Sequence, residues 1–176
     1  MAFIEICRGI GMNVIAYDPY PSQGYLEYVP LEELFARSDV ISLHCPLTSE
    51  TYHIINNYSL KLMKDKVFIL NTSRGALIDS EALIEGIKSG KVGGAGLDVY
   101  EEESEFFYED LSESILKDDI LSRLIMMPNV LITSHQAFLT HEALKRIAEI
   151  TLGNLKSFFD GQPLENEILV KKKIII

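Results

Sequence analysis

Short apolar runs alternate with amphipathic stretches along the chain, and a glycine, a proline or a capping polar residue marks most switches. Residues 2–8 (AFIEICR) read as the last two turns of a helix, ended by Gly9 and Gly11, since glycine tolerates the left-handed backbone of a helix C-terminus. Residues 13–17 (NVIAY) predict a buried strand, stopped by Asp18-Pro19. A short helix follows over 31–37 (LEELFAR), then a strand over 39–43 (DVISL) that ends before Pro46. Residues 59–64 predict a helix with Leu60 and Met63 on one face, and 67–70 a strand. Asp79 or Ser80 caps a helix over 81–88 that Gly90 closes. A strand over 94–99, a helix over 115–126 broken before Pro128, and a strand over 129–132 come next. Residues 140–160 form a long helix, with Leu144, Ile147, Ala148, Thr151, Leu155 and Phe158 along one stripe.

Short apolar strands separated by helices predict a parallel sheet covered on both faces. With right-handed crossovers this is a doubly wound, Rossmann-like α/β fold. Ligands bind such folds beyond the carboxyl ends of the strands, so the residues just after each strand carry the interest. They are Asp18-Pro19, His44-Cys45-Pro46, Asn71 to Gly75, Asp98 to Glu103, and Ser134-His135-Gln136. Most of the chemically capable side chains of the sequence sit at these five places.

Composition narrows the function. The 176 residues are 47% hydrophobic and 24% charged, the balance of a globular chain rather than a disordered one. The formal charge of −10, with acid concentrated between Glu101 and Asp119, argues against a nucleic-acid partner, because phosphate binding needs clustered cations. No apolar run reaches the roughly 18 residues of a membrane span. The opening stretch carries Glu5 and Arg8 and reads as neither a signal nor a transit peptide. Lys171-Lys172-Lys173 and the three isoleucines after it read as a frayed tail rather than a membrane anchor. Cys7 and Cys45 form no Cys-x-x-Cys pair, so structural zinc finds no support. Two isolated cysteines among apolar neighbours suggest a reducing, cytoplasmic setting.

At the strand ends each residue has a bland and a chemical reading. Asp18 either opens a turn before Pro19 or accepts hydrogen bonds from ribose hydroxyls, repelling a 2′-phosphate. Arg74, among small polar neighbours, is either a surface ion-pairing residue or a bidentate clamp for a carboxylate. Gly75 tilts the balance, since it lets backbone approach a ligand. Of the carboxylates at Asp98, Glu101, Glu102 and Glu103, at least two belong to a solvated face. His135 is either structural or, beside a buried glutamate, an imidazole made usable as an acid at neutral pH.

The stretches NVIAYDPYP (13–21), ISLHCPLT (41–48), FILNTSRG (68–75), GLDVYEEE (96–103) and PNVLITSHQAFLT (128–140) together resemble the D-isomer-specific 2-hydroxyacid dehydrogenases. HQAFLT, preceded by the acidic stretch with Phe106-Phe107, resembles their D-lactate dehydrogenase branch. The resemblance runs from about Met1 to Ile168. It implies NAD as cofactor and a small 2-keto or 2-hydroxy acid as substrate. Arg74 is then the substrate-carboxylate arginine, His135 the acid that protonates the carbonyl oxygen, and Glu103 the partner that orients His135. Cys45, Pro46, Thr51, Thr72, Ser73, Arg74 and Asp98 match positions that line the cofactor, and Asp18 matches the ribose carboxylate. Phe138 walls the small side of the substrate pocket. The resemblance also implies a homodimer through the nucleotide-binding domain.

One family feature has no counterpart here. Relatives carry Gly-x-Gly-x-x-Gly ahead of the helix that begins at Met1. Gly9-Ile10-Gly11 closes a helix instead of opening one, and Gly93-Gly94-Ala95-Gly96 enters a strand. The chain is therefore expected to correspond to the carboxyl-terminal half of a dehydrogenase, truncated at its N-terminal strand. On that expectation, residues 1–136 are an NAD-binding domain lacking its first strand and phosphate loop. Residues 137–176 are a helix and tail that pack toward a substrate domain. Two other readings stand beside the enzyme: an NAD-sensing scaffold of the same fold, and a non-catalytic remnant.

Overall fold

The structure, a computed structural model, describes residues 2–22, 24, 26–101 and 119–168. Glu103, Phe106-Phe107 and the first turn of the helix expected over 115–126 lie outside the described residues. The chain divides into two compact units, Met1–His135 and Gln136–Ile176, one residue before the boundary expected from the sequence.

The first unit holds α1 (Ala2–Gly9), β1 (Ile15–Ala16), β2 (Glu27–Tyr28), α2 (Leu31–Arg37), β3 (Val40–Leu43) and α3 (Asn57–Leu62). It continues with β4 (Val67–Asn71), a 3₁₀ turn (Gly75–Leu77), α4 (Ser80–Lys88), β5 (Val92–Leu97), α5 (Asp119–Ile125) and β6 (Val130–Ile132). Four strands form one parallel sheet in the order β3-β4-β5-β6. β1 and β2 form a separate parallel pair. Sheet register is what positions the site. Leu43 pairs with Asn71, Asn71 with Leu97, and Leu97 with Ile132, so four strand ends stop in one row.

Alternation along the strands sorts the side chains. Ile41 and Leu43 of β3, Val67 and Ile69 of β4, and Ala95 and Leu97 of β5 are buried in the core with Leu60, Leu83, Ile84, Leu121 and Leu124 of the helices. The opposite face departs from the expectation that helices cover both sides. Val40 pairs with Phe68, Phe68 with Gly94, and Leu131 with Gly96, so these residues share that face. Val40 is 38% exposed, Phe68 50% and Leu131 69%. A Cβ at Gly94 would stand 2.8 Å from Phe68 Cε1 and 3.0 Å from the Asn129 carbonyl oxygen, so the half-exposed Phe68 ring would have to shift to admit it.

Several boundaries differ from those the sequence predicts, each for a local reason. The strand expected over 94–99 begins two residues earlier because Val92 pairs with Val67. The helix expected over 59–64 begins at Asn57, because Asn56 caps it and Ser59 returns the bond in a capping box. β2 and the 3₁₀ turn are additional. The second unit holds α6 (His141–Phe159), capped by the Thr140 side chain on the amide of Ala143. No residue of α6 is buried. Among the described residues, no helix is long and apolar enough to cross a membrane.

Candidate functional site

The loop after β4 is built by its own polar side chains. Buried Asn71 donates from Nδ2 to the carbonyl of Arg74 at 2.9 Å, and its Oδ1 accepts the amide of Ser73 at 3.0 Å. Those two bonds close the turn that lifts Arg74 off the strand end. Gly75 follows, and no other residue fits: a Cβ would lie 2.0 Å from the carbonyl oxygen of Tyr100. Arg74 itself is exposed, with Nη1 donating to the carbonyl of Ser73 at 2.8 Å. A guanidinium has five donors in a fixed fork, so most remain for an anion.

β3 delivers the opposite wall. His44, Cys45, Pro46 and Leu47 face Ser73 and Arg74 across a cleft of about 610 Å³. Ser73 Oγ donates to the Cys45 carbonyl at 2.7 Å, tying the two walls together. Burial pushes the Cys45 thiol above its ordinary range. His44 retains an exposed edge, yet its ring packs against Phe3 with centroids 5.2 Å apart. Desolvation there pushes its pKa below the ordinary histidine value. Nε2 of His44 lies 2.9 Å from Ser42 Oγ. In the sequence His44 and Leu47 lie within the stretch ISLHCPLT, but neither is singled out there as a site residue. Thr51 serves the loop: Oγ1 donates to the Pro46 carbonyl at 2.7 Å and accepts the Thr48 amide at 2.8 Å. Thr72 is exposed at the same strand end.

β5 and β6 end alongside. Asp98 is buried, 5% exposed, and Thr133 Oγ1 donates to its Oδ1 at 2.5 Å. The amide of His135 donates to the Asp98 carbonyl at 2.7 Å. His135 is half-buried and sits in the left-handed region at φ 52°, which is costly for a residue with a side chain. Asp98 thus holds the loop that carries His135. Asp18 follows β1 and is exposed, its Oδ1 accepting the amide of Tyr20 at 2.8 Å. The turn role that its sequence context suggests is therefore real, and it leaves the second carboxylate oxygen for other partners. Phe138 lies in the second unit and is 51% exposed.

These residues fit a nicotinamide nucleotide. The cleft lies beyond the carboxyl ends of parallel strands, apolar along Pro46 and Leu47 and hydrogen-bonding along Ser73 and Arg74. Asp18 offers an exposed carboxylate just after β1, and in dinucleotide folds a carboxylate after a strand can accept hydrogen bonds from ribose hydroxyls.

Comparison with known proteins points the same way. Residues 1–137 match the family described as D-isomer specific 2-hydroxyacid dehydrogenase, NAD binding domain. D-lactate dehydrogenase of Escherichia coli (strain K12) is 51% identical over 173 residues, covering 96% of this chain and 53% of that protein. The crystal structure of a D-lactate dehydrogenase from Treponema pallidum superposes with a TM-score of 0.87 at 37% identity, over 94% of this chain and 51% of that one. D-lactate dehydrogenase with NAD⁺ from Lactobacillus jensenii superposes with a TM-score of 0.86 at 29% identity, over 96% of this chain and 52% of that one. The chain thus spans about half the length of the relatives it matches. On its sequence, its sheet and the residues at its strand ends, it belongs to the D-isomer specific 2-hydroxyacid dehydrogenases and carries their NAD-binding domain.

Proposed function

We propose that this chain supplies the catalytic half of an NAD-dependent D-2-hydroxyacid dehydrogenase that interconverts a small 2-keto acid and its D-2-hydroxy acid, with pyruvate and D-lactate as the pair. One observation carries the reading most directly: a single sheet edge bears the Arg74 loop and the His135 loop, with Asp98 between them. Arg74 holds the substrate carboxylate and fixes its approach. NAD, when bound, supplies the hydride acceptor or donor. His135 gives a proton to the keto oxygen in reduction and takes one from the hydroxyl in oxidation. Glu103, outside the described residues, is assigned to orient His135. Cys45, Pro46, Thr72 and Ser73 border the cofactor, Asp98 holds its neighbouring loop, and Asp18 selects NAD over NADP. The substrate pocket includes Phe138, and the assembled enzyme is a homodimer. Thr51 contributes by shaping the loop after Pro46.

The sequence has no Gly-x-Gly-x-x-Gly to place pyrophosphate on helix N–H groups. The 176 residues by themselves are therefore proposed not to turn over. The test joins the chain to an amino-terminal half of the kind its relatives carry and follows NADH oxidation by pyruvate. His135→Ala should cost roughly 10²- to 10⁴-fold in kcat/KM, the usual share of general acid catalysis. Arg74→Ala should raise KM for pyruvate and lower kcat together. Retention of most activity by His135→Ala would overturn the proton-transfer assignment and favour the NAD-sensing scaffold.

A further inference from the structure

Glu101 stands in a run of acids that reads as a solvated face, yet its side chain is only 24% exposed. Its Oε1 lies 2.6 Å from Nε2 of His53, which donates to it. Its Oε2 accepts from Oγ of Ser80 at 3.2 Å and from the Ser80 amide at 3.4 Å. Ser80 opens the nine-residue helix α4, so the carboxylate also meets the positive end of a helix. His53 is held in turn. Its backbone lies in the left-handed region at φ 50°, and its ring stacks on Tyr52 with centroids 3.9 Å apart. A non-glycine residue stays there only when its surroundings demand it.

The segment between these contacts is the one that opens on Arg74. The amide of His53 donates to the Ala76 carbonyl at 2.9 Å, and that of Ile55 to Leu77 at 3.1 Å. Asp79 donates back to Ile55 at 2.9 Å. Gly75 lies against the Tyr100 backbone, adjacent to Glu101. One carboxylate therefore ties three separate stretches: the 52–56 loop, the start of α4, and the exit of β5.

We infer that Glu101 and His53 are positioning residues, a clamp that fixes residues 75–80 and with them the direction in which Arg74 leaves β4. The inference rests on the reading of Arg74 as the carboxylate-binding group. It makes no use of turnover, so it is tested on the 176-residue chain by NMR. The reporters are amide exchange at Ile55 and Ile78, the latter bonded to the Gly75 carbonyl at 3.0 Å, and the backbone order parameter of Arg74. Ile69 and Ala95, in the central strands, report the fold.

In His53→Ala and Glu101→Ala, exchange at Ile55 and Ile78 should accelerate at least about tenfold, with less than about twofold change at Ile69 and Ala95. The Arg74 order parameter should fall from near 0.85 toward 0.6, the range that separates rigid from flexible backbone. His53→Gln, which keeps an N–H donor toward Oε1, should stay near the parent on every reporter. Unchanged exchange, a uniform rise across the sheet, an unmoved Arg74, or His53→Gln behaving like His53→Ala would each overturn the clamp. If Glu101→Ala does not fold, the two His53 variants decide alone. A pyruvate titration of the parent and of Arg74→Ala tests the carboxylate reading separately. Identical responses would sink that reading and leave the exchange result standing.

Discussion

Gly75 has the least latitude of any residue in the site, since a methyl group there would drive into the Tyr100 carbonyl. The obstacle is backbone rather than the far end of a flexible side chain, so relief requires the β5 exit to move. Gly75→Ala should therefore destabilise the fold by at least the roughly 1–3 kcal/mol typical of overpacking. Urea unfolding would show this as a lower midpoint, and an unchanged midpoint would mean that the two segments separate readily. Cys45 yields a second test at this scale. Its thiol is raised by burial, and the thiolate is the reactive form. The thiolate fraction at neutral pH is thus smaller than for an ordinary thiol. Alkylation of Cys45 should be slower than that of a free cysteine at pH 7 and should rise later as pH increases. Much of this scale is legible in the sequence, because Asn71 to Gly75 build their own loop from near neighbours. Glu101 is not. Its partner His53 is 48 residues away, and nothing local separates it from the other acids of its run.

Helices and strands follow their periodicity where burial is one-sided and escape it where pairing decides. α2 has the bounds its sequence predicts, Leu31–Arg37, because Pro30 starts it and Phe35 anchors it in the core. β2 offers no such signal: two residues become a strand only because Ile15 and Ala16 pair with them. α3 shows how a cap outranks an apolar pattern. Its apolar face suggests a start at Ser59, while Asn56 accepts the amides of Tyr58 and Ser59 and moves the start forward. Asn56 also donates from Nδ2 to the His53 carbonyl at 2.8 Å, so the cap braces the same loop as the clamp. Asn56→Ala should cost about 0.5–2 kcal/mol, the range for losing an N-cap. Asn56→Asp should recover the cap but not the bond to His53. Equal stability of both variants in chemical denaturation would show that the His53 bond contributes nothing measurable.

The molecule as a whole exposes what a finished α/β domain conceals. Val40, Phe68 and Leu131 open one sheet face, and β1 and β3 are not paired with each other. In the second unit Leu144, Ile147, Ile150, Leu152, Leu155, Phe158 and Phe159 are all more than 40% exposed. The stripe of α6 was legible as an amphipathic pattern, since 3.6-residue periodicity needs no partner to be seen. What lies against it was not, because periodicity identifies an apolar face without identifying its cover. Burying a large apolar side chain is worth roughly 1.5–3 kcal/mol, so even partial cover of α6 outweighs a typical surface interaction. Unpaired strand edges add a template for pairing with another chain. The 176-residue chain should therefore associate with itself, its weight-average mass in sedimentation equilibrium rising with concentration. Leu155→Lys with Phe158→Lys, on the exposed stripe of α6, should shift that equilibrium toward monomer. The same chain should bind NADH far more weakly in isothermal titration than a relative that carries the Gly-x-Gly-x-x-Gly loop. On the proposed reading, Asp18 and the cleft beside Arg74 would address the two ends of the dinucleotide, while the sequence offers its pyrophosphate no Gly-x-Gly-x-x-Gly helix start. A monomer that binds NADH at low micromolar affinity would contradict both expectations and would mean that another segment of this chain holds the phosphates.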